Sequence, residues 1–98
     1  MKIVELDDDL LEELKVALRV KSNSANEEIN SLGLACIQDL EISGVYVTNQ
    51  NDALSKQAIK LYCKWQYGYD SNVERFGAAY AALKNAMALS GDYAKVGD

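Results

Sequence analysis

The chain has 98 residues, 49% hydrophobic and 26% charged, with no proline, no histidine and a formal net charge of −5. That length gives one domain, 1–98, with a radius of gyration of about 13 Å. The apolar fraction is too high for a disordered chain, and no apolar run nears the ~18 residues of a membrane span.

The opening Met1-Lys2-Ile3-Val4-Glu5 soon becomes Asp-rich and matches neither a signal nor a transit peptide. This predicts a soluble protein acting inside the cell, with no membrane partner. The first helix follows Asp7-Asp8-Asp9, where acid suits the positive end of the helix dipole. Its inward face is Leu10 or Leu11, Leu14, Ala17 and Leu18, and Val20 to Asn23 ends it. The second helix opens on Ser24-Ala25-Asn26-Glu27, the pattern of a capping box, and carries Ile29, Leu32, Cys36 and Leu40 as its stripe. Gly44 supplies its left-handed stop.

Val45-Tyr46-Val47-Thr48 and the polar run Asn49-Gln50-Asn51-Asp52 read as a loop with a short extended piece, capped into the third helix by Asn51 or Asp52. The third helix runs to about Tyr69. Leu54, Ala58, Leu61, Tyr62, Trp65 and Tyr69 lie on one side, and Lys56, Lys60 and Lys64 on the other. Ser71-Asn72-Val73-Glu74 is a second capping-box pattern, and Phe76, Tyr80, Leu83 and Met87 form the stripe of the fourth helix, closed by Ser90-Gly91. Residues 92–98 make a polar, flexible tail. The fold class is all-α: a compact bundle of about four helices, with a longer loop between the second and third. Trp65 is expected to pack near Leu32, Cys36 and Tyr80.

Little in the chain points to catalysis. Histidine, the commonest general base, is missing, and no phosphate-binding glycine loop, nucleophile elbow or HExxH occurs. Asp7, Asp8, Asp9, Glu12 and Glu13 are the densest acidic cluster, but consecutive aspartates at a helix start do not converge on one cation. Cys36 and Cys63 form no CxxC pair and read as reduced, semi-buried packing residues. The expectation is a non-enzyme with no catalytic residues, no cofactor and no metal.

Charge and exposure point instead to an interaction surface. Residues 1–49 carry ten acidic and four basic side chains, and residues 50–98 carry five and six, so one half of a molecule can meet the other half of a neighbour. The acidic balance also disfavours sequence-specific DNA binding. Lys56, Lys60 and Lys64 are candidates for such a contact, facing the acids of the first helix. Tyr46, Tyr67 and Tyr93 lie off the main stripes, and tyrosine is favoured at interfaces. Together with Val47, these residues form the candidate subunit or partner interface. The Val45–Asp52 loop and the tail are expected to be mobile in isolation and to order against a neighbouring subunit or partner, the loop by strand addition.

Several stretches resemble a known family. Glu13-Leu14-Lys15-Val16-Ala17-Leu18-Arg19-Val20 is similar to the "LKxxLR(I/V)" opening helix of the small head–tail connector (adaptor) proteins of tailed bacteriophages and prophages, also labelled DNA-packaging proteins. Leu40-Glu41-Ile42-Ser43-Gly44 looks like the end of that family's long helix. Lys56-Gln57-Ala58-Ile59-Lys60-Leu61-Tyr62-Cys63-Lys64-Trp65-Gln66-Tyr67 resembles its "QAIxxLxxxWY" helix, and Leu83 to Tyr93 resembles its ending. Many relatives carry a proline before the third helix, which this chain lacks.

The resemblance implies a ring of identical copies beneath the portal, extending the DNA channel and meeting a tail-completion or stopper protein. DNA would pass through without sequence-specific binding. The site of action would be the bacterial host cytoplasm during assembly and then the head–tail junction of the virion. The alternative reading is a cytoplasmic helical interaction or regulatory module without a phage role. A repressor built on the second and third helices is disfavoured, because Gly44–Asn51 is longer than a helix-turn-helix turn.

Overall fold

A computed structural model describes residues 3–68 and 71–94. Four α-helices make up the fold: α1 (Asp8–Ala17), α2 (Asn26–Ile42), α3 (Ala53–Tyr67) and α4 (Val73–Ser90), with a 3₁₀ turn over Asn23–Ala25. Among the described residues there is no strand, and the all-α expectation holds. The radius of gyration is 13.0 Å.

α1 and α2 form an antiparallel pair. The Leu6 amide donates to Asn30 Oδ1 at one end, and Lys15 Nζ donates to Asn23 Oδ1 at the other. Gly33 lets the Leu6 side chain lie directly on α2, where an added Cβ would collide with its Cδ1. α3 packs on α1, α2 and α4, and it runs antiparallel to α4, with Tyr62 against Tyr80 and Asp52 bonded to Tyr93. α1 and α4 thus flank the α2–α3 pair. Leu10, Leu14, Leu18, Ile29, Cys36, Leu40, Ile59 and Met87 form the centre of the core.

The helix ends explain several departures from expectation. α2 begins at Asn26 behind the 3₁₀ turn, which Ser22 caps by accepting from the Ser24 amide, so the predicted Ser24–Glu27 box is not used. α4 starts with Asn72 as N-cap, one residue beyond the box expected at Ser71. At the end of α2, the Val45 amide donates to Leu40 O (2.8 Å) and the Gly44 amide to Glu41 O (3.0 Å), with Gly44 at φ +89°. This is the Schellman arrangement, which also brings the residue after the glycine against the last turn. Val45 and Leu40 are accordingly both fully buried. The loop expected to wait for a neighbour is therefore anchored in its own core.

The face of α3 also differs. Ser55, Ala58, Ile59 and Cys63 are buried, while Leu54 is 47% and Trp65 37% exposed. The buried seam is made of small and β-branched residues because α2 comes close there; Cys36 Sγ lies 3.8 Å from Ala58 O. The larger residues lie to either side. Tyr69, placed on the expected stripe, falls outside the described residues. Cys36 and Cys63 are free and fully buried rather than semi-buried.

Candidate functional site

Lys56 and Lys60 do not stand free for a neighbour. Their Nζ atoms donate to Glu13 Oε2 and Oε1 of α1, each at 3.0 Å, so one carboxylate bridges two lysines within the chain. These hydrogen bonds, Lys56 foremost, hold the Glu13 carboxyl below its ordinary range. The pairing expected between subunits is thus satisfied internally as far as Glu13 is concerned, and it clamps α1 onto α3. Lys64, one turn on, lies over the Phe76 ring at 5.4 Å.

Tyr46, Val47, Tyr67 and Tyr93 are half-buried rather than exposed. The Tyr46 amide donates to Tyr93 O at 2.7 Å, and Tyr93 Oη donates to Asp52 Oδ2 at 2.6 Å. The same Asp52 oxygen accepts from the Ser55 amide at 3.1 Å as the N-cap of α3. The start of the tail is therefore latched to the loop and to α3, which corrects the expectation of a loose segment; residues 95–98 lie outside the described residues. The hydrogen bond to Asp52 pushes the Tyr93 hydroxyl up to about 12 and, with the Ser55 amide, holds Asp52 low.

Another site lies where α2, α3 and α4 meet. Tyr62, Trp65 and Tyr80 wall an open groove of about 220 Å³. Tyr62 meets Trp65 and Tyr80 edge-on, with centroids 5.9 and 5.2 Å apart, and Trp65 lies tilted by 32° to Tyr80. Gly77 makes this possible, since a Cβ there would sit 2.8 Å from Trp65 Cε2. Trp65 does approach Tyr80 as expected, but as a groove wall open to solvent rather than as a core residue.

One oxygen of Asp39 organises the rim. Asp39 Oδ2 accepts from Tyr80 Oη at 2.6 Å and from Lys84 Nζ at 3.0 Å, and the Tyr80 bond is the larger cause of its lowered pKa. Lys84 also sits 5.2 Å from the Tyr80 ring centre. Its charge and that of Asp39 are thus neutralised against each other. Ala81 and Gln66 complete the lining. Periodicity showed the aromatic walls as core stripes. The Asp39–Lys84 pair, 45 residues apart, had no local signal.

The outer face of α4 is the other notable surface. Ala78, Ala82 and Ala86 are exposed there, Leu89 is 88% exposed, and no charged residue follows Lys84 in the helix. Among the described residues, no group of three or more His, Cys, Asp or Glu side chains is placed to hold a metal ion, and no helix is long and apolar enough to cross a membrane. No family model, curated protein or solved structure matches the chain.

Proposed function

We propose that this chain is a structural subunit that assembles with copies of itself, and specifically a phage or prophage head–tail connector forming a ring below the portal. The observation that carries the assembling role is the uncovered α4 face. Beyond Glu74 and Arg75 in its first turn, that face carries no charge and presents Ala78, Ala82, Ala86 and Leu89, interrupted only by the polar Asn85; an exposed, largely apolar strip of this kind is what a protein partner covers. The connector reading is supported by the order of the sequence motifs, which fall on α1, the end of α2, α3 and the end of α4.

The charge fits the same role. A net −5 per copy, repeated around a ring, repels the phosphate backbone and lets DNA slide through the channel. The portal and a tail-completion or stopper protein are the expected partners above and below. The genes beside its own test the phage part of the reading. Portal, terminase and capsid genes are expected there, and neighbours belonging only to cellular regulation or metabolism would contradict it.

A further inference from the structure

A ring requires a head-to-tail interface, in which one patch on each copy meets a different patch on the next. The outer faces of α1 and α4, on either side of the α2–α3 pair, are two such patches. We propose that α1 of one copy packs parallel to α4 of the next, with Val16 against Ala82; this rests on the self-assembly reading above.

Spacing selects the partner. Along α4, Arg75, Ala82 and Leu89 recur every seven residues and so share one side of the helix, with Ala78 and Ala86 next to Ala82. All five are exposed. The strip has a cation at its start and small side chains along its middle, which let a second helix come close. On α1, Asp9 and Val16 stand at the same seven-residue spacing, both exposed, Val16 by 77%. The other exposed hydrophobics outside α4 lack this pattern. Ile42 and Trp65 have Ala35 and Ala58 seven residues earlier, Leu54 is the second residue of α3, and Val4 precedes α1. Val16 alone has a carboxylate where Arg75 would meet it.

Charge fixes the direction. With the helices parallel and Val16 on Ala82, Asp9 falls beside Arg75. Arg19, exposed just past the end of α1, falls toward the last turn of α4, which has no basic residue to offset the negative end of its dipole. The reverse direction would set Arg19 against Arg75 and Asp9 against that negative end. Among the described residues Asp9, Arg19 and Arg75 take part in no ion pair, so each is open to a charge from the neighbour. Arg75 lies only over the Phe76 ring, at 5.5 Å.

Cysteine pairing tests the contact, because a disulfide forms only between Cα atoms within about 7 Å, and the native Cys36 and Cys63 are fully buried. Val16→Cys and Ala82→Cys change exposed positions and leave the core untouched. Under mild oxidation, an equimolar mixture of the two variants should give a covalent species of twice 10.8 kDa, and neither variant alone should. Separately, Arg75→Glu should weaken association several-fold, and adding Asp9→Lys in the same chain should restore it. A wild-type chain that associates while the mixture fails to cross-link, or while the charge swap restores nothing, would overturn the α1–α4 contact and leave self-assembly standing. Cross-linking of Ala82→Cys to itself would do the same, since it marks two α4 helices packed about a two-fold axis. A wild-type chain that stays monomeric at every concentration would overturn self-assembly and the contact together.

Discussion

Arg19 stands where a helix usually closes on glycine. Its φ is +60°, and the bonds from Val20 N to Lys15 O (2.8 Å) and from Arg19 N to Val16 O (3.1 Å) define a second Schellman turn. A side chain in that region is strained, so Arg19→Gly should raise stability by about 0.5–1 kcal/mol in denaturant unfolding. Trp65, as a half-open wall, should cost about 1–2 kcal/mol on replacement by alanine, below the 3–5 of a wholly buried aromatic; a melt will distinguish the two. Titration gives a further residue-level test. Asp39, Asp52 and Glu13 have lowered pKa values in the folded chain. The stability they contribute is present above the ordinary carboxylate range near about 4 and is lost as the pH falls through their folded values. Tyr93 works in the opposite direction. Raised to about 12, it contributes fully below about pH 10 and loses that contribution as the pH climbs through its folded value. Tyr93→Phe should therefore flatten the alkaline part of a stability–pH curve.

At the scale of elements, helix C-termini closed by glycine were easier to read than the N-termini, where both expected capping boxes missed. Gly44 and Gly91, the expected stops, adopt positive φ, a need that only the backbone imposes and that glycine announces; Gly68 does the same and closes α3 at Tyr67, before the expected end near Tyr69. The face of α1 followed periodicity at Leu10, Leu14 and Leu18, and that of α2 at Ile29, Cys36 and Leu40, with Leu32 only half-buried. α3 has neighbours on three elements, so its largest residues do not mark its closest contact. Buried Lys15 and Gln50 were equally invisible. Lys15 covers the core with its stem while its ammonium reaches Asn23 at 2.6 Å. Gln50 joins segments far apart in sequence, accepting from the Asp7 amide and donating to Glu5 O. The N-terminus of α3 depends on Asp52 for both its cap and the Tyr93 latch. Asp52→Ala should cost about 1–2 kcal/mol through the lost cap, and it should make the Tyr46 amide exchange faster than in the parent chain. Unchanged exchange would show that the main-chain bond to Tyr93 O holds the tail alone. Lys60→Glu should loosen α1 from α3, visible as a shift of the Glu13 titration toward its ordinary value, and should not act first on assembly.

At the scale of the molecule, the described residues span 42 × 28 × 19 Å, with α1 on one flank and α4 on the other. The aromatic groove could be read from the sequence only as three rings on two stripes. Its identity as a groove needed Gly77 beneath Trp65 and Asp39 reaching across from α2, contacts that depend on how the helices pack. The alanine-rich outer face of α4 was legible as composition, but its exposure was not. That face matters only if copies meet. The most direct measurement is therefore the native mass of the wild-type protein over a range of concentrations, with negative-stain images of the heaviest species. Self-assembly through a closing head-to-tail contact predicts a single defined oligomer that appears as a ring with a central opening. A chain that remains at 10.8 kDa throughout, or one that grows into open filaments of every length, would contradict it.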